Sequence, residues 1–324
     1  MIVPIGRMKI TREQSNQRAR EDPAAFFRDC DAAYEQKLDA IVRRIAEDPS
    51  RAKVLMLSGP SASGKTTTSL KLRQGLAARG IHAAAVSMDD FFRGRNDAPL
   101  LPDGGRDFES LQALDVPLLE TALAALVEGR EAHIPVFNFK LGRREERMRT
   151  EVLGPDSVAI VEGLHALDPR VASGIPAGHL LRVYVSVSSD FVDESGATVL
   201  SAREMRLIRR TVRDSRFRAS PPERTLEMWD DVCRGEDLYV RPYKRYADIT
   251  VNSAFRCEPC LFGRIAGSLF RQVPPESPFY ERASRVAKEL AAFEPMELDL
   301  VPPTCLLREF LGGSVYFNKS AGKK

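Results

Sequence analysis

Residues 59–66 read Gly59-Pro60-Ser61-Ala62-Ser63-Gly64-Lys65-Thr66, matching G-x-x-x-x-G-K-[ST] at every fixed position. No other feature narrows the fold as much. A short apolar run of strand length, residues 53–58, leads into the motif, and a helical stretch over residues 64–79, stopped by Gly80, follows it. Strand, glycine-rich turn and helix in that order form the setting in which this motif holds phosphate. Glycines let backbone N–H groups turn inward around an anion, and the helix N-terminus adds partial positive charge. Gly59, Ser61, Ser63, Gly64, Lys65, Thr66 and Thr67 are therefore the expected nucleotide-phosphate contacts. Lys65 supplies a point charge to the outer phosphates, and the Thr66 hydroxyl is suited to Mg2+.

Further strand-like runs at residues 82–87, 157–161, 181–187 and 248–252 alternate with helical stretches. That alternation predicts an α/β fold of the P-loop NTPase kind, a parallel sheet with helices on both faces. Phe27, Cys30, Tyr34, Leu38, Ile41 and Ile45 recur at helical spacing and predict an amphipathic leading helix over residues 23–50. Residues 1–22 are polar and read as a flexible arm. The main domain is expected over 51–255, with an Arg-rich helical lid at about 201–220. A C-terminal extension, 256–324, is expected to carry one helix near residues 277–292 and to pack on that domain.

Composition sets outer limits. With 43% hydrophobic and 29% charged residues, the 324-residue chain reads as soluble and globular. A net charge of +3 is too mild to imply a polyanionic partner. Five irregularly placed cysteines do not read as a disulfide framework, which points to reduced thiols in a cytoplasm. Cys257 and Cys260 form a lone C-x-x-C without the second pair a zinc site needs. No apolar run reaches the roughly 18–20 residues of a membrane span. Homo-oligomerisation stays open.

Two acids sit where chemistry is expected. Asp89 follows the second strand, so its carboxylate is expected at the C-terminal edge of the sheet, where ligands of open α/β sheets bind. There it can accept the proton of an acceptor hydroxyl. Glu162 ends the strand at 158–162, the place for a second, Mg2+-linked carboxylate, with Gly163 permitting close approach. Seven arginines fall between Arg203 and Arg218. Such a helix can be a solvated face, a nucleic-acid surface or a lid over phosphates, and periodicity does not choose between them. His165 fits either a structural hydrogen bond or the site.

The GPSASGKTT loop, the SMDDFF turn and DFESL from Asp107 come first in a series of segments that also holds residues 134–139 (IPVFNF) and 161–165 (VEGLH). Residues 206–214 (RLIRRTVRD) and 246–249 (YADI) complete it. Together they resemble the uridine kinase family, within the phosphoribulokinase/uridine kinase group of P-loop proteins. The likeness covers about residues 24–313. It is greatest to bacterial nucleoside kinases with a threonyl-tRNA-synthetase-like N-terminal half, a half expected to be absent here.

The resemblance implies ATP and Mg2+ as cofactors, a small-molecule acceptor, and transfer to a nucleoside 5′-hydroxyl with Asp89 as catalytic base. It implies that Glu109 holds ribose hydroxyls, that Arg210, Arg213 and Arg218 are lid arginines, and that Phe92, Phe137 and Phe139 border the nucleoside. Family members selective for uridine and cytidine carry Tyr at the position of Phe137 and His at that of Gly142. Phe137 can stack on a base but cannot bond its edge, so a kinase for another small hydroxylated metabolite stays open. A nucleotide-dependent RNA-binding protein is the reading from a different class.

Overall fold

The computed structural model describes residues 8–48, 52–94, 96–100, 104–138 and 141–317. Its centre is a five-stranded parallel sheet in the order Ile249–Asn252, Leu180–Ser186, Val54–Ser58, Val158–Glu162, Ala83–Ser87. The middle strand, Val54–Ser58, is buried along its whole length. An unbroken apolar run suits a strand covered on both faces. On one face Leu55, Leu57, Ile160, Val183 and Val185 pack with the leading helix and the C-terminal region. On the other, Val54, Met56, Val86 and Val161 pack against Leu119 and Leu123 of the helix Val116–Val127.

Register places the site. Leu57 and Ser87 both lie beside Glu162, so three neighbouring strands end level with one another. The phosphate loop, the turn bearing Asp89, and Glu162 therefore leave the sheet along one edge.

The leading helix spans Pro23–Glu47, with Asp22 accepting from the Ala25 N–H at its start and Pro23 in the first turn. All six of its periodic residues, from Phe27 to Ile45, are buried. It lies against the P-loop helix, Lys65–Ala77, so closely that a Cβ on Gly75 would stand 2.9 Å from a Val42 methyl. The Tyr34 hydroxyl meets that of Thr68 at 2.7 Å.

Three expectations need correction, and one pair of strands was not foreseen. Residues 8–21 are not a flexible arm: Met8–Thr11 pairs in parallel with Ser189–Val192, and Arg12–Glu21 is a helix capped by Thr11. That helix is held by polar contacts, among them Asn16 to the Ala292 carbonyl (2.9 Å) and the Glu294 N–H (2.8 Å), so hydrophobic periodicity could not reveal it. A second C-terminal helix, Glu258–Phe270, precedes Tyr280–Ala291. Ala132–Asn138 and Arg143–Glu151, to which the sequence assigned no element, pair as antiparallel strands. Finally, the Arg-rich helix Ala202–Arg218 is no surface lid along most of its length. Arg206, Arg209 and Arg210 are buried, and only its last turn, from Arg216, is exposed.

Candidate active site

The phosphate loop is a backbone nest. Ala62 and Gly64 both take left-handed φ, +59° and +88°, which turns successive N–H groups toward a common point. Ala62 carries a Cβ in that region, a strained choice, and Arg209 donates to its carbonyl at 3.3 Å. At Gly59 a Cβ would stand 2.0 Å from the Val185 carbonyl oxygen, so nothing larger fits between loop and sheet. Arg206 and Arg210 reach Ser61, through its carbonyl (3.0 Å) and hydroxyl (2.8 Å). The buried Ser63 gives its carbonyl to Ser253 at 2.7 Å.

Lys65 is the hub of the charges. Burial lowers its pKa, and Glu162, Asp89, Glu309 and Glu109 oppose that in decreasing order. Burial pushes the Glu162 carboxyl up to about 7 against the pull of Lys65; the Ser87 hydroxyl lies 3.4 Å away. Asp89 opens to the cleft, yet enough protein surrounds it that lost hydration raises its pKa, with Lys65 pulling the other way. Burial raises Glu109 too, opposed first by Arg210. Lys65, Asp89, Glu109, Glu162 and Arg210 thus act on one another in a single site. Perturbed acids around a half-buried cation are a signature of catalytic clefts.

Several contacts set the geometry around these groups. Asp107 accepts from the Glu109 N–H (3.1 Å) and the Tyr239 hydroxyl (2.6 Å), and so shapes the turn bearing Glu109. Glu109 itself lies on Gly235, where a Cβ would stand 2.8 Å from its own. His165 is buried beside Glu109 and Tyr239, its ring 6.0 Å from the tyrosine, and burial pushes its pKa down to about 4. Asp90 accepts from the Phe137 N–H at 3.2 Å and ties the strand Ala132–Asn138 to the turn bearing Asp89. Phe92 and Phe137 face each other with ring centroids 5.6 Å apart, forming one aromatic wall. Phe139 lies outside the described residues. Gly163 approaches the Met88 side chain, where a Cβ would meet it at 2.6 Å.

Arg213 and Arg218, with Thr66 and Glu309, line a cleft that opens beyond the phosphate loop. Buried Asp214 gathers Arg210, Arg213 and Arg218 at 3.3, 2.9 and 3.5 Å. Two residues here escaped sequence reasoning: Asp214 and Glu309. Glu309 accepts from both the N–H (3.2 Å) and the hydroxyl (2.6 Å) of Thr67. The cap residue Gly64 has no side chain to satisfy the first turn of the P-loop helix, and Glu309 answers one of that turn's N–H groups from outside the helix.

Among the described residues, no group of three or more His, Cys, Asp or Glu side chains is arranged to hold a metal. Mg2+ is commonly held by one or two protein oxygens together with substrate phosphates. The Thr66 hydroxyl and Glu162 are donors of the right kind. No described helix is long and apolar enough to cross a membrane.

A phosphate nest at the carboxyl end of a parallel sheet, with a lysine and converging acids, defines a P-loop phosphotransferase. Residues 54–257 match the Phosphoribulokinase / Uridine kinase family, and the chain belongs to that family. It is a kinase that transfers to an alcohol group. The uridine kinase of Deinococcus deserti is 28% identical over 213 residues, covering 65% of this chain and 92% of that protein. The uridine kinase of Bacillus pumilus is 25% identical, covering 62% and 87%. A solved structure of a possible uridine kinase from Bacillus stearothermophilus is 19% identical with a TM-score of 0.45, covering 67% of this chain and 97% of that one. The family match ends before the helix Glu258–Phe270 and everything after it.

Proposed function

We propose that the protein is a cytoplasmic nucleoside kinase that converts MgATP and a nucleoside into nucleoside 5′-monophosphate and ADP. The observation that carries this reading is the convergence of Lys65, Asp89 and Glu109 beside the Phe92–Phe137 wall. In this reading the backbone nest and Lys65 hold the polyphosphate. Asp89 accepts the proton of the 5′-hydroxyl as the phosphoryl group arrives, and its raised pKa makes it a stronger base. Glu109 holds ribose hydroxyls, and Phe92 and Phe137 flank the base. Arg210 supplies positive charge to the transferring group. Thr66 and Glu162 would hold Mg2+, which when bound neutralises phosphate charge.

Arg206 and Arg209, buried and paired with Glu236 and Glu258, are not available to a polymer. That weakens the RNA-binding reading. A second reading, a kinase for another small hydroxylated metabolite, draws support from Phe137, which offers no side-chain polar atom to a pyrimidine edge. A coupled ADP-release screen across nucleosides, sugars and pantothenate separates the two. Turnover with nucleosides supports the first. Turnover confined to a sugar or acid acceptor overturns it.

A further inference from the structure

Beyond Thr66 the phosphate cradle opens into a cleft of about 600 Å3, within the range of small-molecule sites. One wall is the last turn of the Arg-rich helix, with Arg213, Phe217 and Arg218; the other is formed by residues 308–317. Two large apolar side chains stand open on this cleft: Phe217 is 50% exposed and Phe317 43%. Exposed phenylalanines beside a polyanion cradle and flanked by arginines offer flat apolar surface next to positive charge. That pairing fits a ligand with a planar ring at one end and phosphates at the other.

The second wall is fixed in place before any ligand arrives. Phe310 is buried beneath the Arg209 guanidinium, 5.1 Å from its ring centre. Arg308 donates to the carbonyls of Leu298 (2.8 Å), Val301 (2.9 Å) and Gly312 (3.3 Å), while Arg216 donates to that of Leu311. Gly312 has a φ of +85°, and a Cβ there would come 3.1 Å from the Phe217 ring, so this backbone lies directly against the aromatic. Leu306 seals the base of the loop: a Cβ on Gly64 would meet its methyl at 2.5 Å. Glu309 then bridges the wall to Thr67 inside the cradle.

We propose that this cleft holds the base and ribose of the donor nucleotide, so that residues 308–317, beyond the family-matched region, complete the donor site. The base stacks on Phe217 beside the Gly312–Gly313 backbone, Phe317 closes the outer side, and the phosphates run past Thr66 to Lys65. This rests on the reading that the cradle binds a nucleoside triphosphate, but not on the identity of the acceptor.

The test is equilibrium binding of MgATP and of magnesium tripolyphosphate to the full chain and to Phe217→Ala, Phe317→Ala and Phe217→Trp. Loss of a stacking partner is expected to weaken MgATP about ten-fold or more in Phe217→Ala, with tripolyphosphate affinity unchanged. Phe317→Ala is expected to act in the same direction, and Phe217→Trp to retain wild-type affinity. The proposal is overturned if both alanine variants bind MgATP as the wild type does. Equal losses for both ligands, or a wild type that prefers ATP no more than tripolyphosphate, also overturn it. No acceptor is present, so a failed acceptor screen leaves this result standing.

Discussion

Arg209 and Glu258 form an ion pair whose two side chains are both 0% exposed. The arginine also donates to the Ser253 carbonyl at 2.7 Å and to the second Glu258 oxygen at 2.8 Å. This pair ties the helix beside the phosphate loop to the first helix of the C-terminal region. Removing one partner leaves the other charge buried without compensation, at a cost of about 3–5 kcal/mol. Glu258→Ala should therefore lower the urea midpoint sharply. Replacing both residues with Met should restore much of the loss, because no charge is then stranded. A double variant as unstable as the single one would show that the pair, rather than the stranded charge, governs stability.

His165 gives the fold a dependence on pH. Burial holds its folded-state pKa near 4, against an ordinary value of 6.5. The unfolded chain binds a proton first as pH falls, so this contribution is full above about 6.5 and is lost toward 4. It amounts to about 3 kcal/mol on the order-of-magnitude scale. His165→Gln should flatten the decline of stability across that window, measured by denaturant titration at several pH values. Comparison with wild type cancels the other titrating groups, Glu162 among them. Parallel curves for the two proteins would rule the histidine out as their source.

The central sheet was legible because one motif fixes a strand, a turn and a helix together, and the remaining strands are plain apolar runs. Burial of the arginines was not. Arginine counts as polar in any pattern, and Arg206 and Arg209 become core residues only through Glu236 and Glu258, 30 and 49 positions away. The helix Glu258–Phe270 was hidden by Pro259, Gly263 and Gly267. Yet Pro259 sits in the first turn, where a missing N–H costs nothing. In the site, Asp89 and Glu162 were readable as acids at strand ends. Glu309 was not, since it reaches Thr67 from 242 residues away.

Replacing Asp89 with Asn keeps its shape and removes its basicity. Lys65 and the nest are untouched, so MgATP affinity should persist while kcat falls about 10²- to 10⁴-fold. Isothermal titration alongside single-turnover phosphoryl transfer separates the two effects. If transfer continues at the wild-type rate, another group takes the proton.

Phe137→Tyr adds a hydroxyl to the aromatic wall without changing the ring that meets Phe92. With a pyrimidine nucleoside as acceptor, one new hydrogen bond should raise kcat/KM for uridine up to about ten-fold over purine nucleosides. Gly142→His is a poorer test, because Gly142 holds a φ of +65°, which strains any side chain. Competition between uridine and a purine nucleoside reads the preference directly. An unchanged ratio would mean that the base does not lie along this wall.

Glu309→Gln asks what the C-terminal carboxylate does inside the cradle. The Thr67 N–H belongs to the first turn of the P-loop helix, whose free donors attract anions. Glu309 already answers that donor and the Thr67 hydroxyl, and its charge repels an incoming polyphosphate. Glutamine can accept the same two hydrogen bonds without the charge. Affinity for MgATP should thus rise about 3- to 10-fold, as expected when one like charge is removed from a binding site, and the gain should shrink as salt is added. A weaker affinity would give Glu309 the opposite role, that of a support whose charge keeps Thr67 in place for the nucleotide.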